Sequence, residues 1–217
     1  MTRAEHAAIR CIVFDFADTL CHTPYFWPLG AEFCAVVTAA IFTEENKERW
    51  ARPWCCGQLT SADIAAYLSE LTGFTPERIL AGLDAGCANL RLNPACWRFA
   101  QAQRVLGRRT VLATVNMDVF TCVVVPAHGF DRVFDVVVNS ADYGTEDKNA
   151  LCKIAFDRLD GCTFANSLLI DDSPKVIDAF RARGGMAYQY TTEAAFAEWE
   201  MDTWPVDDTA VCRISHG

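Results

Sequence analysis

Apolar residues at consecutive rather than alternating positions mark residues 11–14, Cys-Ile-Val-Phe, as a strand buried on both faces of a sheet. Short runs of aliphatic, β-branched or aromatic residues at 110–115, 134–139, 167–170 and 186–190 predict four further strands. Between them the period changes to that of a helix. Residues 147–159 carry Leu151, Ile154, Ala155 and Leu159 on one face and run out at Gly161, and Ser173-Pro174 opens a helix with Val176, Ile177 and Phe180 that stops at Gly184. Strand and helix alternate from residue 110 onward, which is the order of βαβ units and a parallel sheet. The valines at 123–125 read as a strand by their β-branching and as a crossover helix by their place between two strands.

Residues 21–91 differ, with no convincing strand. A helix is predicted over 31–42. Thr60-x-x-Asp63 is a capping box ahead of Ile64, Leu68 and Leu71, and Thr75-Pro76 starts a helix with Ile79, Leu80 and Leu83. Asn93-Pro94 opens another, ending at Gly107. The pattern predicts an α/β protein: a Rossmann-like parallel sheet core from residues 1–20 and 92–217, and an inserted helical cap over 21–91. The insertion follows the first strand directly, where a lid would sit.

A chain of 217 residues can bury one full core and a smaller lobe. Its net charge of −9 and its four lysines argue against a nucleic-acid partner, because phosphate binding needs clustered Lys and Arg. The longest apolar runs, such as 33–42, fall short of the roughly 20 residues that span a bilayer, so no membrane association is expected. The opening Met-Thr-Arg-Ala-Glu-His lacks a signal-peptide layout, and a cytoplasmic location is expected. The eleven cysteines are odd in number, form no C-x-x-C and fall mostly in apolar periodic segments, where Cys behaves as a small hydrophobe. Cys55 and Cys56, flanked by Pro53, Trp54 and Gly57, are read as candidate exposed thiols.

Chemistry enters with Asp15. It ends the first strand, and a carboxylate there must be paired, metal-bound or nucleophilic to be tolerated. Asp171 and Asp172 close the 167–170 strand, either as functional carboxylates or as an acidic turn favoured by the dipole of the following helix. Lys148 lies in the first turn of its helix, where a cation opposes the dipole.

In order, Asp15 and Thr19 in D-F-A-D-T-L, Thr114 in A-T-V-N-M-D, Lys148 in G-T-E-D-K-N-A and the pair in L-L-I-D-D-S-P resemble the four motifs of the haloacid dehalogenase superfamily of phosphatases and related hydrolases. Val115, directly before Asn116, marks the other register for the second motif. The helical insertion resembles the C1-type cap of that family. The resemblance implies a hydrolase acting through an aspartyl-phosphate on a small phosphorylated or otherwise anionic substrate. Asp15 would be the nucleophile, with Thr114 and Lys148 catalytic and Asp18, Thr19 and Asn116 near the substrate. Mg²⁺ would be held by Asp15, the carbonyl of Ala17, Asp171 and Asp172.

One residue departs from the family pattern. Two positions after the nucleophile, phosphatases carry a second Asp that protonates the leaving oxygen, and Ala17 stands here instead. Such an acid contributes typically ~10²–10⁴-fold. Asp18, where the family usually has Gly, and His22 are the neighbouring candidates to replace it. Without a replacement, the chain reads alternatively as a catalytically impaired phosphate-binding or regulatory protein. Phosphonoacetaldehyde hydrolase also has Ala at this position, together with a Schiff-base lysine in the cap. Lys47, the only Lys in 21–91, lies in T-E-E-N-K-E-R-W, which reads as a solvated helix face. Dehalogenases of the family use the aspartate on carbon without metal, and retention of Asp171-Asp172 argues against that branch. Tyr25, Phe26, Trp27, Trp50 and Trp54 would pack apolar surface or line a pocket, and Arg49 and Arg52 are candidate anion clamps.

Overall fold

The structure, a computed structural model, describes residues 3–204. Five strands form one fully parallel sheet: β1 (Cys11–Phe14), β2 (Arg109–Thr114), β3 (Val136–Asn139), β4 (Ser167–Asp171) and β5 (Met186–Gln189), in the order β3-β2-β1-β4-β5. The central strand explains its own sequence. Cys11 and Val13 face one layer with Val111, Val138, Leu151 and Ile177, while Ile12 and Phe14 face the other with Leu112, Phe99 and Phe134. A strand covered on both sides has no polar face, so its apolar residues run consecutively.

The helices, in chain order, are α1 (Arg3–Ala8), α2 (Ala31–Val37), α3 (Ala51–Cys55), α4 (Ser61–Thr72), α5 (Pro76–Ala88), α6 (Pro94–Val105), α7 (Val125–His128), α8 (Ser140–Tyr143), α9 (Lys148–Phe156), α10 (Pro174–Ala182) and α11 (Glu193–Thr203). The predicted caps form. Thr60 and Asp63 close a reciprocal capping box on α4, and Asn93 accepts from the backbone of Ala95 and Cys96 at the start of α6. The predicted helix over 31–42 continues from α2 through a π turn, Thr38–Phe42, and the ambiguous valines are helical, running from a π turn (Phe120–Val124) into α7. Position between strands outweighed β-branching there.

Several boundaries moved. β2 starts at Arg109 and ends at Thr114, leaving Val115 outside the strand. β3 begins only at Val136, because Phe134 closes a turn on Phe130 and Asp135 spends its carboxylate on the Thr110 amide. β4 extends to include Asp171, β5 stops at Gln189, and α9 ends at Phe156 rather than Leu159. Residues 43–50 are turns rather than a helix face. Cys55 and Cys56 are buried, correcting the expectation of exposed thiols, and burial pushes the Cys55 pKa up to about 12. Among the described cysteines Cys122 is the exposed one, and Cys212 lies outside the described residues.

Residues 21–91 contain helices and turns with no strand, apart from isolated bridges of Cys21 to Ala17 and to Leu92. These helices share an apolar layer with the sheet: Phe33, Trp54, Ile64 and Leu83 belong to the cluster that holds Phe14 and Phe99. Polar contacts add direction. Trp54 Nε1 donates to Asp118 at 3.1 Å, the Ser61 amide to the same carboxylate at 2.9 Å, and Ser140 Oγ to the Cys55 carbonyl at 2.6 Å. Gly86 lets α5 approach the chain closely, since a Cβ there would fall 1.7 Å from the Tyr25 carbonyl oxygen. Among the described residues no helix is long and apolar enough to cross a membrane.

Candidate active site

Parallel strands end on one edge, and the order β3-β2-β1-β4-β5 reverses direction around β1. That switch point is where open α/β sheets bind ligands. Phe14 is level with Leu112 and Ile170, so the next residues out, Asp15, Ala113 and Asp171, share the carboxyl edge of three adjacent strands. The Asp15 amide continues the ladder by donating to Ile170 at 2.9 Å, which leaves its buried carboxylate at the rim.

The groups that meet there are charged. One oxygen each from Asp15, Asp171 and Asp172 lie within 4.8 Å of one another. Lys148, the first residue of α9, is buried and turns back toward the sheet, donating to Asp15 Oδ1 and, at 2.8 Å, to the Ala113 carbonyl, with Asp171 Oδ2 at 3.4 Å. Burial pulls the lysine pKa down, but the charges of Asp15 and Asp171 outweigh it and the net shift is upward. Burial raises Asp171 to about 6 against the opposing pull of Lys148, with the Asp15 charge adding to the rise. Asp172 is raised by burial and by Asp15. Asp171 Oδ1 accepts from the Ser173 amide at 2.9 Å, whereas Oδ2 is buried with no hydrogen bond. Three carboxylates against one ammonium leave net negative charge in a partly desolvated, oxygen-only cluster, which is a setting for a divalent cation.

The loop after β1 is tightly turned. Cys21 donates to the Phe16 carbonyl and Asp18 to the Cys21 carbonyl, so the bridge is made by the neighbours of Ala17 and leaves the Ala17 carbonyl outside it. Asp18 has φ +56°, a left-handed conformation that glycine adopts more readily than other residues. Its side chain is 77% exposed and lies 3.7 Å from His22 Nδ1, while His22 Nε2 contacts the Tyr190 hydroxyl at 3.3 Å. Thr19 is fully buried with no hydrogen-bond partner for Oγ1.

Thr114 ends β2 and is fully buried. Asn116 Nδ2 donates to its hydroxyl at 3.4 Å and the Asn116 amide donates to Ser140 Oγ at 2.8 Å, while Asn116 Oδ1 accepts from the Tyr25 hydroxyl at 2.9 Å. Sequence reading missed Tyr25 and Ser140 as partners of this loop, and likewise Asn93 and Tyr190. Asn93 caps α6 with Oδ1 and, with Nδ2, donates to the Thr19 carbonyl at 3.2 Å and the Tyr190 hydroxyl at 2.7 Å. The capping role was legible, but the second was not, because its partners are 74 and 97 residues away.

Three candidates are engaged elsewhere. Lys47 pairs with Glu44 at 2.5 Å on the surface, Arg49 lies over the Trp50 ring, and Arg52 bridges Glu48 and Glu146, both at 2.8 Å. Of the aromatics, Trp54 is fully buried in the core, Trp50 stacks on Tyr67, and Trp27 is exposed. Tyr25 and Phe26 do line a cavity, of about 330 Å³, between the β1 loop and the helical segment. Phe16, Ala17 and Asp18 form one side of it, Val115, Asn116 and Met117 a second, and Cys34, Val37 and Phe42 the facing wall.

No family model matches the sequence, and no curated protein matches it either. Solved structures do. A HAD-family enzyme from Bacteroides thetaiotaomicron, in complex with magnesium and inorganic phosphate, superposes with a TM-score of 0.63 at 14% identity, covering 84% of this chain and 94% of that one. A predicted HAD-like family hydrolase from Porphyromonas gingivalis gives 0.63 at 15%, covering 97% and 99%. L-2-haloacid dehalogenase from Xanthobacter autotrophicus, with chloropropionic acid covalently bound, gives 0.60 at 14%, covering 95% and 88%. At such identities the likeness is one of fold: the chain has the fold of the haloacid dehalogenase superfamily.

Proposed function

We propose that the protein is a Mg²⁺-dependent phosphohydrolase that works through an aspartyl-phosphate on Asp15, with residues 21–91 serving as a C1-type cap over the site. The observation that carries this reading is the meeting of Asp15, Asp171 and Asp172 with Lys148 at the carboxyl edge of β1. The bacterial neighbour with magnesium and phosphate supports it.

The residues suit the metal. An all-oxygen donor set matches a hard divalent ion, and the orphaned Asp171 Oδ2 is the kind of buried acceptor a cation satisfies. Asp15, Asp171 and Asp172 would hold it with the Ala17 carbonyl. Bound there, the ion would offset the combined charge of the carboxylates and the phosphoryl group.

The remaining work falls to the chain. Asp15, fixed by the β1–β4 ladder and by Lys148, presents a carboxylate oxygen for in-line attack on phosphorus. Lys148, with its pKa raised, stays cationic and balances the charge of the nucleophile. Thr114 accepts from Asn116, which leaves its hydroxyl proton free to donate to a phosphoryl oxygen. No side chain at position 17 protonates the departing oxygen.

A second reading, a phosphate-binding or regulatory protein with impaired turnover, is favoured by Ala17 alone. Dehalogenase chemistry, suggested by the Xanthobacter neighbour, sits poorly with three converging carboxylates. The test is turnover of p-nitrophenyl phosphate with and without Mg²⁺ by wild type and Asp15→Asn. The expected result is Mg²⁺-dependent hydrolysis that a folded Asp15→Asn protein lacks. Turnover surviving in Asp15→Asn would remove the covalent mechanism, and no turnover with retained phosphate binding would favour the regulatory reading.

A further inference from the structure

The cavity beside Ala17 has a chemistry of its own. It lies against the residues that follow Asp15 and Thr114, so a group leaving from a phosphorus held at Asp15 departs beside it. Its walls are largely apolar: Phe16, Phe26, Val37, Phe42 and Met117. No Lys or Arg lines it, and its carboxylate and imidazole side chains are exposed Asp18 and His22, both at the β1 loop. The remaining ionisable walls are neutral. Burial raises the thiols of Cys21, Cys34 and Cys55 and the phenol of Tyr25. Phe42 is 44% exposed, an apolar ring kept at the cavity wall instead of in the core.

We propose that the substrate is an aromatic phosphomonoester whose ring occupies this cavity. The inference rests on the phosphohydrolase reading and adds the class of leaving group. Two independent observations agree on it. A cavity of about 330 Å³ lies at the small end of ligand sites, near ~300–1,000 Å³, which suits one or two fused rings. A sugar or polyol would set several of its hydroxyls against carbon, since Thr23, Tyr25, Thr38 and Asn116 are the neutral polar residues in a mostly apolar lining, at a desolvation cost. Separately, Ala17 cannot deliver a proton, and an aryl oxide departs without one.

The step balances without a general acid. A bond forms between Asp15 Oδ and phosphorus while the ester P–O bond breaks, and the aryl oxide leaves with the electron pair and takes its proton from solvent. Water then attacks the aspartyl-phosphate, releasing inorganic phosphate, the Asp15 carboxylate and a proton to bulk water.

The experiment compares 1-naphthyl phosphate, phenyl phosphate and glycerol 3-phosphate as substrates, and titrates 1-naphthol alone by tryptophan fluorescence and calorimetry. 1-Naphthol is the somewhat stronger acid, so the cavity is read from the change in naphthyl preference between wild type and the Phe42 variants, which share the same leaving groups. Wild type is expected to prefer naphthyl over phenyl by ~10-fold or more in kcat/KM, to leave glycerol 3-phosphate nearly untouched, and to bind 1-naphthol. Phe42→Asp should lose both the preference and the binding, and Phe42→Leu should retain them, which separates the cavity from a folding defect. Equal rates on the two aryl esters, or comparable turnover of glycerol 3-phosphate, overturns the proposal. So does wild type that fails to bind 1-naphthol. If 1-naphthol binds in a Phe42-dependent way while no ester turns over, the phosphohydrolase reading falls and the aromatic assignment of the cavity stands.

Discussion

Lys148 reaches from the start of α9 to the Asp15 carboxylate at the end of β1, 133 residues away in sequence, and its ammonium is also within 3.4 Å of Asp171. The contact joins two helix-sheet units and offsets part of a buried three-carboxylate charge. Lys148→Gln should therefore do more than remove a hydrogen bond. It leaves like charges facing one another, at a cost of about 3–5 kcal/mol for breaking a buried ion pair. The sign with pH follows: without the lysine the raised pKa values of Asp171 and Asp172 rise further, and a raised carboxylate contributes stability that is lost as pH rises through its folded pKa. The stability gap between wild type and Lys148→Gln should widen from pH 5 to pH 8 in urea melts. A constant gap would mean that the ammonium does not offset the cluster.

Metal affinity should carry the same signature. Asp171 titrates near 6 in the folded chain against 3.8 for an ordinary carboxylate, so without metal its contribution to stability is present below that ordinary value and is lost through about 6. A cation binds the ionised form and competes with the proton. Apparent Mg²⁺ affinity measured by calorimetry should rise with pH through about 6 and flatten above it. Mg²⁺ at neutral pH should raise the melting temperature of wild type. Asp172→Asn should abolish that rise. An equal, negligible response in both proteins would sink the metal assignment.

Asp18 holds φ +56° with its carboxylate in solvent, a conformation that costs a non-glycine residue of order ~1–3 kcal/mol. Asp18→Gly should stabilise the chain by up to about that much, less glycine's greater unfolded-state freedom. Asn also tolerates this backbone region, so Asp18→Asn should leave stability nearly unchanged. Thermal melts of the three proteins check the order.

The strands, and the placing of Asp15, Thr114 and Asp171 at their carboxyl ends, were legible because each rests on local pattern. A consecutive apolar run means a strand covered on both faces, and Asp15, Thr114 and Asp171 then follow from strand ends. Lys148 was singled out by the family resemblance, with mild support from its conflict with the helix dipole. What the sequence hid is the set of partners brought together by tertiary packing. Asn93, Tyr190, Tyr25 and Ser140 have no local signature beyond a cap, yet they hold Thr19, His22, Asn116 and the α3 carbonyl of Cys55. Cys55 and Cys56 misled for the same reason. Beside Pro53 and Gly57 they read as an exposed turn, but α3 docks against the core through Trp54, Asp118 and Ser140 and takes them inside.

On the phosphohydrolase reading, Ala17 is the position that sets which esters the site can process. Its side chain is exposed toward the cavity and its carbonyl lies outside the loop's bridge, so the position is open to a longer side chain without disturbing the turn. If the missing acid is the one defect, wild type should hydrolyse aryl and acyl phosphates far faster than alkyl phosphates. Ala17→Asp should then narrow the gap by raising alkyl-ester turnover, with an upper bound near the ~10²–10⁴-fold of general acid catalysis. Misplacement of the new carboxylate by even ~1 Å would consume most of the gain. The measurement is turnover of paired alkyl and aryl phosphates by wild type, Ala17→Asp and Asp18→Asn. Efficient alkyl-ester hydrolysis by wild type that collapses in Asp18→Asn would show that the exposed Asp18 already supplies the proton, and the argument from Ala17 would fail.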